Sequence, residues 1–285
     1  MRIVLAIKRT ALAVGGRTAR LARSGHASAE SLVRAHDAHE RTLLAVREAL
    51  RRHGLRFSEA SVGEEGPRFR RLMATADLVV PVGGDGTVLA AARATQGATV
   101  LAVNSAPGDS VGHFCATDAA GFHALLGAVL AGRRKPRSFA RLEVVLGGRV
   151  LPELALNDVL VAHLCPAATT RYAVHLGARS ELHRSSGIWI ATAAGSTAGI
   201  GSAGGRAMSR RSRALQYRVR ELYREPGRRY RLTHGFVPKG GALEVVSRMP
   251  EGRLYLDGWR AEHAFPFGTR AVFRIAAEDL RIVLP

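Results

Sequence analysis

Residues 76–95 read ADLVVPVGGDGTVLAAARAT and combine an apolar run, a glycine turn and a small-residue stretch. The run at 76–82 predicts a strand buried on both faces, as parallel strands are. The stretch from Thr87 to about Thr95 predicts a helix. Open α/β sheets bind ligands beyond the carboxyl ends of their strands, so this order predicts a ligand site at the turn.

The turn itself, Gly83-Gly84-Asp85-Gly86-Thr87, has the composition of a phosphate-binding segment. Glycines let the backbone approach a phosphate closely, and the following helix offers unpaired N–H groups to an anion. Asp85 is the carboxylate in this frame, and an aspartate is ordinarily ionised at neutral pH. It is therefore a candidate to take a proton from a substrate hydroxyl or to hold magnesium. The alternative is a tight turn in which Asp85 bonds its own backbone.

The surrounding N-terminal half alternates strands and helices, which predicts a parallel α/β domain. Residues 2–7 and 98–103 are further buried-strand candidates. A capping-box pattern at Asp37 and Glu40 predicts the start of a helix that ends near Gly54. Asp118 is predicted to cap another helix that ends near Gly132. Residues 10–35 give no clear pattern.

The pattern changes at the linker GRRKPRS, residues 132–138, and becomes mainly β. The segment RLEVVL, Gly147-Gly148 and RVLPELAL predicts a hairpin. Further strands are predicted at 171–176, 181–184, 242–247, 253–256 and 271–275. We therefore expect a Rossmann-like α/β domain at 1–135, followed by a mainly β domain at 136–285. The last residues, RIVLP, are a candidate strand of the first domain.

Composition narrows the class of protein without deciding it. The 285 residues are 47% hydrophobic and carry a formal net charge of +19, nearly all of it from arginine. Such a charge attracts polyanions, although an arginine bias is also typical of GC-rich genomes. The cysteines, Cys115 and Cys165, are too few for a disulfide framework and indicate a reducing cytoplasm. No apolar run approaches the length of a transmembrane helix, so we expect no membrane association.

Two further segments carry polar groups suited to a nucleotide. The segment Ala155-Leu156-Asn157-Asp158-Val159 ends an apolar strand with an amide beside a carboxylate, which can bind an adenine edge or a ribose diol. A simple Asx turn is the alternative. Residues 185–205, SSGIWIATAAGSTAGIGSAGG, run from a strand into small and hydroxyl residues. These offer backbone amides to a flat polar ligand, and a flexible linker is the alternative.

In order along the chain, these motifs resemble the NAD kinase family. The family carries GGDGT, an Asn-containing loop ending in Gly-Phe or Gly-His, Asn-Glu-Val, and a DG…TPTGSTAY…SAGG stretch. The second motif appears here as VNSAPGDSVGHF, residues 103–114. The details are most similar to the mitochondrial-type branch, which also has Ser-Ser-Gly and a late Asp-Gly, here Asp257-Gly258. The chain departs from the main family at Ser186, Gly199 and Ala193-Ala194, where aspartate, tyrosine and Pro-Thr are usual.

The resemblance implies an ATP-dependent kinase that phosphorylates the 2′-hydroxyl of the adenosine ribose of NAD or NADH. Asp85 would be the catalytic base. The other implied substrate-binding residues are Gly83, Gly84, Gly86, Thr87, Asn104, Asn157, Asp158, Arg184, Ser186, Thr192, Gly195, Ser196, Thr197, Ala198 and Ser202. The family also implies magnesium with ATP as cofactor, NAD as substrate and a homodimer or higher homo-oligomer. The sequence does not indicate which residues hold the metal.

Other functions remain open from the sequence. Lipid kinases of the diacylglycerol and sphingosine type share GGDGT, although the segments at 155–159 and 185–205 favour a dinucleotide substrate. A non-catalytic nucleotide-binding protein is a second alternative. Residues 206–231 interleave arginines with Tyr217, Tyr223 and Tyr230, a pattern that can bind nucleic acid. A solvated basic face, or a lid over ATP phosphates, accounts for that stretch better, so we expect no nucleic-acid partner.

Overall fold

The computed structural model describes residues 1–108 and 110–285 of the chain. Asp109, which belongs to the second sequence motif, lies outside the described residues. The chain divides into two compact units. The first comprises residues 1–138 and 280–285, and the second comprises residues 139–279. An α/β architecture is therefore followed by a mainly β one, and the predicted fold class is confirmed.

The first unit is built on a mainly parallel sheet with the strand order β2-β1-β3-β4-β19-β6, in which β5 also pairs with β3. Parallel pairing runs from β2 through β1, β3 and β4 to β19. Every residue of the strand before the glycine turn is buried, as its apolar run predicts. The strands are β1 (Ile3–Lys8), β2 (Phe57–Val62), β3 (Leu78–Gly83), β4 (Thr99–Val100), β5 (Val103–Asn104), β6 (Arg137–Phe139) and β19 (Leu280–Ile282).

Helices accompany these strands, and a short 3-10 turn lies at Ala27–Ala29. The helices are α1 (Ala11–Val14), α2 (Gly16–Arg23), α3 (Glu30–Arg52), α4 (Pro67–Thr75), α5 (Asp85–Ala94) and α6 (Phe122–Leu130). Leu43, Val46 and Leu50 of α3 are buried in the same hydrophobic core as Leu5 and Val80 of the sheet. Packing of this apolar stripe, at helical spacing, stabilises α3 against the strands.

Several boundaries in the first unit differ from the sequence predictions. The capping-box prediction at Asp37 and Glu40 is wrong, because both residues lie exposed in the middle of α3. Residues 30–36 contain no glycine or proline, so nothing stops the helix from extending toward the N-terminus. Asp118 does accept the N–H groups of Ala120 and Gly121, but α6 begins only at Phe122.

The second unit packs a pair of antiparallel sheets face to face. Their orders are β11-β10-β15-β18-β7-β8 and β14-β13-β12-β9-β16-β17. The strands are β7 (Leu142–Leu146), β8 (Arg149–Val150), β9 (Asp158–His163), β10 (Thr170–Leu176), β11 (Arg179–Ser185), β12 (Gly187–Ala191), β13 (Leu215–Arg220), β14 (His234–Val237), β15 (Leu243–Ser247), β16 (Gly252–Leu256), β17 (Ala261–Ala264) and β18 (Arg270–Ile275). A short helix, α7 (Gly199–Ser202), follows β12.

Apolar side chains of both sheets form one core, which includes Val144, Val174 and Phe273 from one sheet and Val161 and Ile190 from the other. Alternation of buried and exposed residues along the strands produces this arrangement. The predicted hairpin at Gly147-Gly148 is confirmed as β7 and β8.

The prediction that Asn157-Asp158 ends a strand is wrong. Asp158 begins β9 and Asn157 directly precedes it, and the stretch between β8 and β9 contains no strand among the described residues. Pro152 in that stretch lacks an N–H donor for a sheet, which accounts for the early end of the hairpin arm.

The last strand, β19, pairs in parallel with β4. The C-terminal residues therefore belong to the first unit, as their sequence allowed. Within the described ranges 1–108 and 110–285, no helix is both long and apolar enough to cross a bilayer.

Candidate functional site

The glycine turn of the first unit follows β3 directly, and its backbone is closely packed. A Cβ atom added to Gly83 would lie 2.2 Å from Oγ1 of Thr87, and one added to Gly84 would lie 2.5 Å from Oγ of Ser110. No side chain fits at either position without a shift of its neighbour. Gly86 lies at the exposed tip, where an added Cβ meets nothing within 4 Å. The backbone of this turn is thus kept bare for the close approach of a ligand.

Asp85 is the first residue of α5 and is half-buried. Its Oδ2 accepts the backbone N–H of His113 at 3.0 Å, and its Oδ1 accepts that of Phe114 at 2.9 Å. The alternative interpretation, in which the carboxylate bonds the backbone of its own turn, is therefore wrong. Two N–H donors fix its plane, and each oxygen keeps a lone pair for another partner.

The loop that supplies those donors is held by Asn104, which is buried opposite Gly83 in the β3–β5 register. Its amide nitrogen donates to the carbonyl of Ser110 at 2.9 Å, and its Oδ1 accepts the N–H of Ala106 at 3.2 Å. Gly112 has φ +66, and an added Cβ would lie 2.6 Å from the Asn104 amide. The Asn104 side chain thus shapes the loop that orients Asp85.

Cys115 lies in the same loop and is buried. Burial, with the charge of Asp85 as a smaller cause, raises the pKa of its thiol to about 12. The thiol is therefore protonated at neutral pH and is a poor nucleophile.

In the second unit, the Asn157-Asp158 pair is held by Asp257. The Asp257 carboxylate accepts the backbone N–H groups of Leu156 at 2.8 Å, Asn157 at 2.7 Å and Asp158 at 3.1 Å. The N–H of Asp257 in turn donates to the carbonyl of Asp158 at 2.9 Å. Asp257 has φ +50, a conformation that aspartate adopts more readily than most residues.

The two side chains of the pair have unusual surroundings. Asp158 is 6% exposed, and burial, reinforced by the charge of Asp257, raises the pKa of its carboxyl to about 8. At neutral pH this group keeps its proton most of the time and can donate a hydrogen bond. Oδ1 of Asn157 is buried and has no hydrogen-bond partner among the described residues. An unpaired buried amide oxygen is costly, and a substrate N–H or O–H would satisfy it.

Residues 185–205, the stretch of small and hydroxyl residues, lie beside the Asn157-Asp158 pair. Asp158 of β9 lies opposite Ala191 of β12 in an antiparallel register. Thr192 donates its hydroxyl to the carbonyl of Leu156 and its N–H to that of Asn157. A Cβ added to Gly195 would lie 2.1 Å from the carbonyl oxygen of Asn157. The stretch is thus packed against the pair and is not a flexible linker.

The rest of the stretch turns through residues that differ in accessibility. Ser196 is buried, donates to the carbonyl of Ala193 at 2.8 Å and accepts the N–H of Met208 at 2.9 Å. Thr197 and Ser202 are exposed, and Ala198 precedes α7. The hydroxyls open to a ligand are therefore those of Thr197 and Ser202, whereas those of Thr192 and Ser196 hold the turn.

Ser186 and Arg184 lie away from this cluster, because they precede β12 while Thr192 follows it. Six residues of extended chain span roughly 20 Å. Arg184 is exposed, and its guanidinium lies 3.8 Å from Glu225. Ser186 lines a pocket of about 430 Å³ with Leu160, Trp189, Arg220, Tyr255 and Trp259.

The position of Gly199, where the family usually has tyrosine, is covered by another aromatic residue. A Cβ added to Gly199 would lie 2.9 Å from the ring of Trp189. The indole therefore occupies the place into which a side chain at residue 199 would extend.

Metal ligands are sparse in both units. Across the described part of the chain, no group of three or more His, Cys, Asp or Glu residues is arranged to hold a metal ion. Asp85 is the carboxylate of the glycine turn, so any divalent ion there would take most of its ligands from substrate phosphates and water.

Comparison with known proteins assigns the chain to a family. The model of the ATP-NAD kinase N-terminal domain matches residues 11–133. A probable NADH kinase from Oryza sativa subsp. japonica is 39% identical over an alignment 231 positions long that covers 73% of this chain and 71% of that protein. The chain belongs to the NAD kinase family. The NADH kinase of Arabidopsis thaliana, another relative, is 37% identical with 73% of each chain covered.

The fold agrees with that of a solved NAD kinase. The crystal structure of the Archaeoglobus fulgidus enzyme in complex with ATP has a TM-score of 0.69 and 19% identity, and covers 99% of this chain and 93% of that chain. At that identity the likeness concerns the fold.

Sequence reasoning missed several residues that shape these two places. The backbone donors of His113 and Phe114 leave no side-chain signal. In the sequence, Asp257 stands out only as part of a late Asp-Gly. Its place at the end of a β run is the one signal that could have identified it as a positioning residue. Trp189 gave no signal, since a tryptophan in a strand is ordinarily a packing residue.

The basic stretch at 206–231 does not form a continuous arginine–aromatic surface, the alternative that the sequence already disfavoured. Tyr217 is 2% exposed within β13, and the ring of Tyr230 packs against His183. Tyr223 is exposed. With one of its three aromatic side chains in the core, this stretch offers no continuous stacking platform.

Proposed function

We propose that the chain transfers the γ-phosphate of ATP to the 2′-hydroxyl of the adenosine ribose of NAD or NADH. Membership of the NAD kinase family supports the reaction. The observation that carries the mechanism is the Asp85 carboxylate, oriented by the N–H groups of His113 and Phe114 beside a bare glycine turn.

In the proposed step, one oxygen of Asp85 accepts the proton of the 2′-hydroxyl. The ribose oxygen forms a bond to the γ-phosphorus as the bond from that phosphorus to the β–γ bridging oxygen breaks, and ADP leaves. General-base assistance of this kind contributes about 10²–10⁴-fold. The remaining acceleration in phosphoryl transfer comes from positioning and from neutralisation of charge.

On the phosphate side, we assign Gly83, Gly84, Gly86 and Thr87. The N–H of Thr87 donates to the carbonyl of Gly84 at 2.9 Å, so the N–H groups of Asp85 and Gly86 are those that the start of this ten-residue helix offers to an anion. Asn104 supports them by holding the loop that contacts Asp85. When bound, magnesium would neutralise the charge of the triphosphate, and Asp85 is the residue of this turn that could contact it.

On the dinucleotide side, we assign Asn157 and Asp158 to a ribose and the nicotinamide end, and Thr192 with residues 195–202 to the adenine. The unpartnered Oδ1 of Asn157 is an acceptor for a substrate hydroxyl or amide. Asp158, with its pKa raised to about 8 by burial and Asp257, is a donor at neutral pH. A turn with one donor and one acceptor suits a ribose diol or a carboxamide.

A homodimer or higher homo-oligomer is part of the proposal. If Arg184 and Ser186 contact substrate as the family resemblance implies, they lie at the wrong end of β12 to reach the substrate bound near Thr192 of the same chain. A second copy would bring them there. We also propose a cytoplasmic location, since an exposed free thiol at Cys165 suits a reducing compartment.

The test is a transfer assay with purified chain, magnesium and ATP labelled at the γ-phosphate. NAD, NADH and diacylglycerol are offered as separate acceptors, and products are separated and identified. Label in NADP or NADPH, but not in phosphatidic acid, is the expected result. Label in the lipid alone, or in none of the acceptors, would contradict the proposal.

A further inference from the structure

A second concave site lies in the second unit, away from the Asn157-Asp158 turn in sequence and lined mainly by basic side chains. Its volume is about 260 Å³. The charged residues that line it are Arg171, Arg184, Arg228, Arg248 and Glu225. Four cations face one carboxylate, so the pocket carries a net positive charge.

Three of these arginines are neighbours: two lie on adjacent strands, and Arg248 directly follows β15. Arg171 of β10 lies directly opposite Arg184 of β11 in the antiparallel register. The N–H of Arg248 donates to the carbonyl of Arg171 at 2.9 Å. Like charges directly opposite each other in a sheet are destabilising, so this row favours a bound anion between its members.

The carboxylate of the pocket is already shared. Glu225 lies 3.8 Å from Arg184 and 3.1 Å from Arg228. Arg171 and Arg248 form no ion pair with a carboxylate among the residues that the structure describes; Arg248 instead lies over the ring of Phe267 at 6.0 Å. Two arginines at this pocket are therefore available to an external anion.

A buried histidine, His183, is also among the residues that line the pocket. His183 is 2% exposed, and its Nδ1 has no hydrogen-bond partner within the described part of the chain. Its Nε2 lies 3.1 Å from Oε2 of Glu181. Glu181 also accepts the backbone N–H groups of Arg231 at 2.7 Å and Leu232 at 2.9 Å.

These contacts fix the proton of the histidine. Burial by itself raises the pKa of Glu181, but the N–H groups of Leu232 and Arg231, with His183, outweigh it and leave the pKa below its ordinary value. The carboxylate is thus ionised and can only accept, so Nε2 carries the hydrogen. Burial lowers the pKa of His183, although Glu181 opposes this, and the ring is neutral at neutral pH. Its Nδ1 therefore presents a lone pair.

We propose that this pocket binds the phosphate group of a phosphorylated small molecule, with Arg171 and Arg248 on the anionic oxygens and Nδ1 of His183 accepting from the P–OH group. A phosphate monoester has a second pKa of about 6, so its protonated form is accessible near neutral pH. Sulfate and phosphodiesters have no such proton. The proposal does not depend on the proposed kinase reaction, because Arg171, Arg248 and His183 have no role in that reaction; Arg184, which the family resemblance implies as a substrate contact, also lines the pocket.

The first experiment measures binding of inorganic phosphate to the full chain by calorimetry. Arg171→Gln with Arg248→Gln is compared with Arg149→Gln with Arg179→Gln, a pair of exposed arginines of the same unit that do not line the pocket. Both pairs remove the same charge. We expect the first pair to weaken one phosphate site at least tenfold and the control pair to change it less than twofold. Equal losses in both pairs, or no loss in the first, would overturn the proposal.

The second experiment uses the unaltered chain, so it does not depend on the folding of a variant. The ring nitrogens of ¹⁵N-labelled histidine are followed by NMR while ligand is added. Phosphate should shift Nδ1 of His183, and sulfate at the same concentration should shift it several-fold less. Phenyl phosphate that binds more tightly than inorganic phosphate indicates a phosphomonoester, and the reverse order indicates free phosphate. A single-stranded oligonucleotide that shifts Nδ1 as strongly as phosphate, or an unchanged His183 signal, contradicts the proposal.

Discussion

Asp85 and Asp158 are both carboxylates that follow or begin a buried strand, yet their surroundings differ. Asp85 is half-buried and receives two backbone N–H groups, from His113 and Phe114. Asp158 is buried beside a second carboxylate, Asp257, which takes the N–H groups of the turn for itself. The first carboxylate is oriented as an acceptor, and the second keeps its proton to a pKa of about 8.

Residue type alone therefore does not assign a chemical role to a carboxylate. Hydrogen bonds donated to a carboxylate favour its charged form, whereas burial and a like charge disfavour it. Two aspartates in one enzyme can therefore serve as a base and as a hydrogen-bond donor at the same pH.

The largest expected effect is on catalysis. Asp85→Asn removes the proton acceptor while keeping the shape of the side chain, so kcat for NADP formation should fall about 10²–10⁴-fold. Steady-state kinetics with NAD and ATP measure it. The matched control is Asp118→Asn, since Asp118 also accepts two backbone N–H groups but lies outside the glycine turn. A fall of the same size in both variants would show that Asp85 acts only through structure.

The next effect is on stability as a function of pH. The pKa of Asp158 is raised in the folded chain to about 8, compared with about 3.9 for an unperturbed aspartate. The protonated carboxyl favours the folded state. Its contribution to the free energy of unfolding is therefore full below pH 4 and is lost as the pH rises through 8. Asp158→Asn, which cannot ionise, should avoid that loss.

Urea unfolding of both proteins measures the difference. Between pH 5 and pH 8, the wild type should lose roughly 3 kcal/mol of unfolding free energy relative to the variant. Above about pH 9, the plots of unfolding free energy against pH for the two proteins should run parallel. Parallel curves over the whole range would mean that Asp158 titrates at an ordinary pH.

Asp257→Asn should have a smaller effect, because asparagine tolerates the same backbone conformation. Its amide nitrogen would face an N–H group that now has a carboxylate acceptor, at a cost of about 1–3 kcal/mol. We expect KM for NAD to rise more than kcat falls, since the turn is displaced while Asp85 is not. Asp77→Asn is the control, because Asp77 is exposed and accepts a single backbone N–H, that of Arg2. Unchanged stability and KM in the Asp257 variant would remove its positioning role.

The last prediction concerns the cysteines, involves no change in sequence and leaves activity and stability unaltered. Cys115 is buried, with its pKa raised to about 12 by burial and Asp85, whereas Cys165 is exposed. Iodoacetamide at pH 8 should alkylate Cys165 at least ~100-fold faster than Cys115, because only the thiolate reacts. Mass spectrometry of timed samples gives both rates. Similar rates would indicate that the loop around Asp85 opens readily.

The features of the fold and the site that the sequence predicts are those set by residues close together in the chain. The strand, glycine turn and helix around Asp85 follow from local patterns, and the structure has all three. The donors from His113 and Phe114 come from a loop almost thirty residues away, and backbone groups have no signature in the sequence. The orienting environment of Asp85 was therefore not predictable from its own segment.

The same limit applies to Asn157-Asp158. The pair was identified as a ligand-binding candidate, but placed at the end of a strand. Its turn is fixed by Asp257, about a hundred residues later, and only the folded sheet brings β9 and β16 together. Within α3, the error was of another kind: Asp37 and Glu40 match a cap locally, while packing of the apolar stripe decides where the helix runs.

The contrast between the two aspartates is tested most directly by ¹³C NMR of the aspartate carboxyl groups over pH 3 to 10. Asp158 is assigned by the loss of its signal in Asp158→Asn. The account predicts one resonance that titrates near pH 8 and is absent from that variant. If the Asp158 carboxyl titrates below about pH 5, it is ionised at neutral pH like an ordinary aspartate, and the assignment of a donor role to it is wrong.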